Sequence, residues 1–235
     1  MNEPEFLATL GNRIEHVEFR VAAACARAGR ARSEVAIIAV TKTLSAGATR
    51  LVPQCGLTHL GESRPQDLWK KAADLAGVTW HFMGHLQRNK IDKTLPLVSL
   101  FHSVDSVRLL TALDAEAGRL GRAVPVLLEV NASGETTKQG FAPSEVLNLA
   151  PMLDGLLHLR VDGLMTMAAP SANPDDCRPT FATLRSLRDQ LQKAIDPKHP
   201  CRELSMGMTN DFEIAIEEGA TLIRLGSIYF EGIEL

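Results

Sequence analysis

The sequence lacks a surplus of basic residues. Its 235 residues carry a formal net charge of −3 at pH 7. Proteins that bind nucleic acid need excess Lys and Arg to neutralise phosphates, so this balance argues against nucleic acid as a main partner. The hydrophobic fraction of 45% is ordinary for a globular chain with a sizeable core.

Long hydrophobic runs are missing as well. The longest, such as Val35 to Val40, are far shorter than the roughly 20 apolar residues of a membrane-spanning helix. The first five residues, Met1 to Glu5, lack the positively charged region of a signal peptide. We therefore expect a cytoplasmic protein without a membrane segment.

Paired cysteines are absent too. The four cysteines, Cys25, Cys55, Cys177 and Cys201, are scattered, and none forms a C-x-x-C pair. This spacing predicts neither a disulfide framework nor a zinc ribbon.

What the sequence does contain is a regular alternation of short apolar runs and helical patterns. The runs predict eight strands, at 35–41, 57–61, 79–83, 99–103, 124–131, 158–165, 202–206 and 221–226. The clearest helical patterns cover 65–76, 107–120, 143–153, 175–195 and 211–218. A further amphipathic pattern within residues 1–30 predicts a packing helix ahead of the first strand.

Strict alternation of strand and helix implies parallel strands joined by crossover helices. Eight such units in about 250 residues are typical of a (β/α)8 TIM barrel, so we predict one barrel domain over residues 1–235 with an extra N-terminal helix. A doubly wound open sheet is the alternative. It is weakened because no G-x-G-x-x-G motif follows the first strand.

Lys42 follows the first predicted strand, at the barrel end where active sites form. We expect this lysine to be buried, because it adjoins an apolar strand, and burial would favour the neutral amine that attacks carbonyl groups. The ordinary alternative is a lysine whose tip extends into solvent.

The ends of the last two predicted strands are suited to phosphate. Arg224, Gly226 and Ser227 close the eighth strand, while Ser205 and Gly207 close the seventh. Glycine lets the backbone approach an anion, hydroxyl groups donate to its oxygens, and barrels commonly bind phosphate at these two loops. Together with an amine on the first strand, this pattern predicts a pyridoxal phosphate (PLP) site.

Several segments resemble, in order, the pyridoxal phosphate homeostasis protein family. They are Val40–Lys42, Leu60–Arg64, Trp80–Lys90, His102–Ser106, Ser205–Met208 and Arg224–Ser227. The resemblance covers nearly the whole chain, and the part from His81 to Lys90 is highly specific. It implies a barrel similar to the N-terminal domain of alanine racemase.

The resemblance also implies roles for single residues. Lys42 would hold PLP as a Schiff base, Ser205, Gly226 and Ser227 would bind its phosphate, and Arg224 would face its pyridine nitrogen. Ser63 stands where the family usually has asparagine, which puts a contact from that position to the ring in doubt.

The function implied is a carrier or regulator of vitamin B6 and amino-acid pools, without an established turnover reaction. PLP-dependent apoenzymes are candidate recipients of the cofactor. The family's Lys-x-x-Pro is here Lys42-Thr43-Leu44-Ser45, so the first loop is expected to differ in shape. At the last strand Ser227 replaces the usual threonine and keeps the hydroxyl.

Two other function classes stay open. One is a low-activity PLP-dependent racemase, although the single tyrosine, Tyr229, leaves a two-base mechanism incomplete. The other is a metal-dependent hydrolase using His81, His85 and Asp105, which is disfavoured because Gly84 interrupts the helix that such a histidine pair needs.

Four smaller expectations concern the surroundings of the site. His81 is expected to be a hydrogen-bonded strand residue, and His102 and Asp105 to be loop residues. Glu62 and Arg64 are expected to form a local ion pair. Two long polar loops, 132–140 and 168–174, are expected on the face that holds Lys42.

Overall fold

Eight parallel strands form a closed barrel. In the computed structural model, which describes residues 1–135 and 139–233, each strand pairs with the next and β8 pairs with β1. The strands are β1 Ala36–Val40, β2 His59–Glu62, β3 Thr79–Phe82, β4 Leu100–Val104, β5 Val124–Glu129, β6 Leu159–Met165, β7 Glu203–Ser205 and β8 Leu222–Leu225. All eight predicted strands and the predicted (β/α)8 fold are confirmed.

Helices lie on the outside of the barrel. They are α1 Glu3–Arg27, α2 Ala46–Thr49, α3 Pro65–Asp74, α4 Ile91–Thr94, α5 Val107–Leu120, α6 Pro143–Val146, α7 Ala150–Asp154, α8 Arg178–Ala194, α9 Phe212–Glu217 and α10 Ser227–Phe230. Of these, α2 to α9 connect successive strands, while α1 precedes β1 and α10 follows β8. Short 3₁₀ turns occupy Arg32–Glu34, Val52–Cys55, Arg88–Lys90, Leu95–Leu97, Leu147–Leu149 and Pro174–Cys177.

The predicted helix over 143–153 is broken in the structure. A 3₁₀ turn at Leu147–Leu149 separates α6 from α7. Pro151 lies in the first turn of α7, and because proline has no N–H it cannot continue the hydrogen-bond ladder from the preceding turn. The predicted helix over 175–195 likewise begins with a 3₁₀ turn, ahead of α8.

The N-terminal helix α1 packs along one side of the barrel, against α9 and α10. Asn2 caps it, because its side-chain oxygen accepts from the Glu5 N–H while the Glu5 carboxylate accepts from the Asn2 N–H, and two backbone donors are satisfied. Arg13 donates to the backbone oxygens of Tyr229 and Glu231, both at 2.8 Å. The helix is thereby tied to the segment that follows β8.

The barrel interior combines an apolar cluster with polar side chains. The apolar cluster contains Ile38, Leu100, Leu127, Met165 and Leu222. Side chains two apart in a strand share a face, so His102 follows Leu100 into the interior and Arg224 follows Leu222. Among the described residues, no helix combines the length and apolar character needed to cross a bilayer.

Candidate functional site

A cavity of about 760 Å³ opens at the carboxyl ends of the strands. Residues from the loops after β1, β2, β6, β7 and β8 line it, among them Lys42, Ser63, Gly226 and Ser227, and Arg224 lines it from within β8. Its volume is in the range of pockets that bind a small cofactor. Five of the seven predicted site residues therefore meet in one cavity.

The burial predicted for Lys42 is wrong. The residue lies two positions beyond β1, and its side chain is exposed while still lining the cavity. The chain turns immediately after the strand, with the Leu44 N–H donating to the Thr41 oxygen at 2.9 Å. This turn places the amine at the cavity mouth, where water reaches it.

A different lysine, Lys71 on α3, is buried, with 4% of its surface exposed. Its Nζ donates to the backbone oxygen of Thr41 at 2.7 Å and to Glu62 Oε1 at 2.6 Å. The Thr41 hydroxyl donates to the same carboxylate oxygen at 2.6 Å. Lys71 therefore fixes the backbone directly before Lys42.

The Lys71 contact also corrects the expected pairing of Glu62 with Arg64. Glu62 is fully buried and pairs with Lys71, while Arg64 is exposed. Sequence reasoning missed Lys71, although it lies three residues after buried Leu68, on the inner face of α3.

The loops after β7 and β8 meet at a pair of hydroxyl groups. The oxygens of Ser227 and Thr209 are 3.0 Å apart, and the Ile228 N–H reaches Thr209 Oγ1 at 3.3 Å. Both residues line the cavity. A Cβ on Gly226 would lie 3.3 Å from the Val40 oxygen, so glycine lets this loop lie against β1. Thr209 was not predicted as a site residue, although it follows the end of the seventh strand, where Ser205 and Gly207 were predicted.

Ser205 and Gly207 lie behind the cavity wall. Ser205 is fully buried, and its Oγ accepts from Arg224 Nη1 at 2.7 Å. Gly207 has φ +90°, and a Cβ there would lie 2.5 Å from the Ala215 Cβ. Its oxygen accepts from the Arg224 N–H at 3.0 Å. The structure thus places both residues in contact with Arg224, a position that differs from the phosphate contact expected of Ser205.

Arg224 carries the positive charge in the cavity floor. It lines the cavity although only 4% of its surface is exposed, and its second nitrogen donates to the Thr166 oxygen at 3.0 Å. Burial lowers its pKa to about 10, opposed by the carboxylates of Asp211 and Glu129. The guanidinium therefore remains charged at neutral pH.

Glu129, at the end of β5, is a buried carboxyl group with 5% exposure. Burial, together with repulsion from Asp105, raises its pKa to about 7, and the charge of Arg224 opposes that rise. Glu129 therefore changes its protonation near neutral pH, next to the charged floor of the cavity.

Three histidines form a row across the barrel. His59 Nδ1 lies 3.0 Å from His81 Nε2, and His81 Nδ1 lies 2.9 Å from His102 Nε2. His102 Nδ1 is 2.8 Å from Ser205 Oγ. His81 is a hydrogen-bonded strand residue, as expected, whereas the expectation of a loop position for His102 is wrong because it lies inside β4.

The histidine pair considered for metal does not converge. His81 points along the row in the barrel, while His85 is exposed and its Nδ1 lies 3.1 Å from Asp105 Oδ2. Within residues 1–135 and 139–233, no group of three or more potential ligands is positioned to hold a metal ion.

The two long loops differ in their relation to the cavity. Residues 168–171 and Pro174 line it, so the loop at 168–174 forms part of the wall. The loop at 132–140 lies partly outside the described residues, at 136–138.

Comparison with known proteins assigns the family. Residues 16–232 match the family model described as alanine racemase, N-terminal domain. The chain is 40% identical over 220 residues to a pyridoxal phosphate homeostasis protein of Aquifex aeolicus, covering 93% of this chain and 96% of that protein. It is 37% identical to a protein of the same name from Pseudomonas aeruginosa, covering 95% and 96%.

Solved structures agree in fold. PipY of Synechococcus elongatus with PLP bound has a TM-score of 0.80 and 34% identity, covering 94% of this chain and 99% of that one. A structure described as an unknown protein from Bifidobacterium adolescentis has a TM-score of 0.91 and 36% identity, covering 98% of both chains. An alanine racemase of Clostridium difficile, at 13% identity, shares the fold alone, with a TM-score of 0.76 and coverage of 95% and 57%. The chain belongs to the pyridoxal phosphate homeostasis protein family.

Proposed function

We propose that this protein binds PLP in the cavity at the carboxyl end of the barrel and serves PLP and amino-acid homeostasis. The observation that carries the proposal is the convergence of Lys42, Arg224 and Ser227 on one cavity. These groups offer an amine, a cation and a hydroxyl, the donor set that an aldehyde, a ring nitrogen and a phosphate require.

The residues present fit this cofactor from end to end. Lys42 would hold the aldehyde carbon through a Schiff-base linkage, and Gly226, Ser227 and Thr209 would receive the phosphate. Ser63, half-buried in the cavity wall, would face the ring. Ser205 and Gly207 would act indirectly, by fixing Arg224.

The charge of Arg224 favours a holding role over broad catalysis. When bound, PLP supplies an electron sink for carbanion chemistry, and that sink is strongest when its ring nitrogen is protonated. A guanidinium has donors only and stays charged, so it disfavours that protonation. We infer that the protein stores or delivers PLP, with PLP-dependent apoenzymes as recipients, without robust turnover.

A weak racemase is the second candidate, and Glu129 is the observation that favours it. A carboxyl group whose pKa is about 7 is suited to proton transfer at neutral pH. Neither Glu129, which is 5% exposed, nor Tyr229, which is fully buried, lines the cavity. Incubation with single amino-acid enantiomers separates the two functions. Loss of optical rotation at enzyme-like rates would replace the carrier proposal.

The test of binding is covalent mapping. The purified protein is loaded with PLP, reduced with borohydride, digested and analysed by mass spectrometry, with Lys42→Ala and the exposed-site control Lys193→Ala in parallel. Before reduction we expect visible absorption in the wild type and in Lys193→Ala, and after reduction we expect the modification on Lys42, with neither signal in Lys42→Ala. Unchanged colour in Lys42→Ala, or a wild type that remains colourless, rejects the proposal.

A further inference from the structure

The row of histidines continues into Arg224 and ends at the opposite side of the barrel. The histidine chain consists of Arg224, Ser205, His102, His81 and His59. Its four contacts span 2.7 to 3.0 Å. Arg224 lines the cavity at the carboxyl ends of the strands, whereas His81 lines a second cavity, of about 400 Å³, that also contains Ser33, Ser99 and Arg160.

The direction of the chain follows from the chemistry of its first member. A guanidinium only donates, so Ser205 Oγ must accept from Arg224. Ser205 is fully buried, and a buried hydroxyl hydrogen without an acceptor costs about 1–3 kcal/mol. Within the described part of the chain, the atom placed to accept that hydrogen is His102 Nδ1, at 2.8 Å.

Each later contact is then determined by the one before it. If His102 Nδ1 accepts, the neutral ring carries its hydrogen on Nε2 and donates to His81 Nδ1. His81 must in turn donate from Nε2 to His59 Nδ1. His59 is half-buried, so its own Nε2–H is the end of the chain nearest to solvent.

Burial supports the neutral state that this order requires. His102 is fully buried, and its pKa is lowered mainly by burial, with smaller contributions from the neighbouring His81 and Arg224. Burial, with a smaller contribution from His59, lowers the pKa of His81 to about 3. Both rings are therefore uncharged at neutral pH and offer one donor and one acceptor each.

We propose that the histidine chain is a hydrogen-bond chain with a single direction, set by Arg224, in which all three histidines are the Nε2–H tautomer. Its members His102 and His81 are positioning residues: they hold the Ser205 hydroxyl so that its lone pair faces Arg224. With the Thr166 oxygen on the other nitrogen, the guanidinium is fixed from two sides. This inference concerns the protein without a bound ligand and does not require PLP binding.

The test is nitrogen NMR of the histidine rings in cofactor-free protein labelled with ¹⁵N. Two-bond correlations distinguish Nε2–H from Nδ1–H rings and from charged rings, and His16→Gln assigns a histidine outside the chain. We expect pure Nε2–H tautomers for His102, His81 and His59 at pH 7. An Nδ1–H or charged His102 or His81 overturns the proposal without the need for any variant.

Variants test whether Arg224 sets the direction. Ser205→Ala removes the link between Arg224 and His102, and we expect the three histidines to become mixtures of tautomers, while His16→Gln leaves them pure. In His102→Leu, the remaining histidines of the chain, His81 and His59, should become mixtures of tautomers. In His102→Gln, whose amide can still accept and donate, His81 and His59 should regain part of their preference for the Nε2–H tautomer. Pure Nε2–H signals in Ser205→Ala would show that the direction does not come from Arg224.

A second readout applies once PLP is bound, and it rests on the proposed function. The cofactor is PLP labelled with ¹⁵N at its pyridine nitrogen. The resonance of that nitrogen should report an unprotonated state in the wild type and a shift toward the protonated position in His102→Leu. A failure to bind PLP would reject the proposed function but leave the tautomer result intact. An identical ring resonance in both proteins would show that His102 does not position Arg224.

Discussion

Two lysines near the end of β1 divide two properties between them, burial and a place at the site. The sequence predicts that a single lysine, Lys42, has both. Lys42 has the position that faces the cavity, and Lys71 has the burial. A buried ammonium is tolerated because Glu62 and the Thr41 oxygen surround it. Lys71, which does not line the cavity, thereby fixes the backbone directly before the residue that carries the exposed amine.

Loss of Lys71 should destabilise the protein strongly. Lys71→Met leaves the fully buried Glu62 carboxylate without its cation, and breaking a buried pair in this way costs about 3–5 kcal/mol. Urea unfolding measures the change, with exposed Lys70→Met as the matched control. Adding Glu62→Gln to Lys71→Met should recover part of the loss. A cost below about 1 kcal/mol, the range of surface pairs, would contradict this account.

The hydroxyl pair after β7 and β8 should govern cofactor retention. Ser227→Ala and Thr209→Val each remove a donor that would face the phosphate, and a hydrogen bond to a charged group contributes about 1.5–3 kcal/mol. We expect roughly tenfold weaker retention in each variant, measured by dialysis of loaded protein. Ser186→Ala, on the exposed side of α8, is the control. Retention equal to the wild type in both variants would remove these hydroxyls from the phosphate site.

Tight backbone contacts join neighbouring strand ends around the cavity. A Cβ on Gly84, in the loop after β3, would lie 1.8 Å from the Ser63 oxygen. The same loop is held from β4, where the Ser103 hydroxyl donates to the Gly84 oxygen at 2.7 Å. The position of Ser63 in the cavity wall therefore depends on the absence of a side chain at residue 84.

Gly84→Ala should move this loop. The added methyl group forces a backbone shift, for which overpacking costs about 1–3 kcal/mol are typical. Gly11→Ala is the matched control, because the added Cβ would meet no heavy atom within 4 Å apart from its chain neighbours and the backbone of its own helix, and alanine favours a helix over glycine by about 1 kcal/mol. Thermal unfolding should therefore move down in Gly84→Ala and up in Gly11→Ala. Equal shifts would contradict the close contact.

The strands were predictable because short apolar runs alternate with helical patterns, and most residues of each strand are buried. The helix broken at Leu147–Leu149 was less predictable, since its apolar period continues through Pro151. The strand ends that carry Lys42, Gly226 and Ser227 followed from the fold. The burial of Lys71 did not, because helical spacing alone does not reveal a paired charge.

Contacts across the closed barrel lie beyond what a single sequence indicates. His102 and Ser205 are 103 positions apart, and His81 and His102 are 21 apart. They meet because strand register places their side chains at adjacent levels inside the barrel. Neither the register nor the inward face of each histidine can be read from spacing, so the contacts of the Ser205 hydroxyl with Arg224 and His102 were not predicted.

The buried histidines should make the whole fold sensitive to acid. In the unfolded chain a histidine takes up a proton near pH 6.5, whereas folded His81 does so only near pH 3. Between these values the unfolded state binds more protons, so stability present above pH 6.5 is lost as the pH falls toward 3. Each affected histidine contributes on the order of 1.4 kcal/mol per pH unit at most.

Urea midpoints from pH 8 to pH 4 measure this loss. Glu129 acts in the opposite direction between about pH 7 and 4.5, because its folded pKa is raised. The comparison of wild type with His81→Gln removes that contribution and those of other carboxyl groups. We expect a shallower decline in His81→Gln. Parallel curves would mean that His81 is not held neutral by the fold.

Solvent access to Lys42 has a consequence for how a cargo would leave. If Lys42 holds PLP covalently, as proposed, an incoming amine would reach that bond from solvent, and exchange would need neither unfolding nor separation of strands. The hydrogen bonds of Lys71 and Arg224 would keep the cavity in shape after the cofactor has left. The barrel would then bind and release its cofactor repeatedly through the same cavity opening.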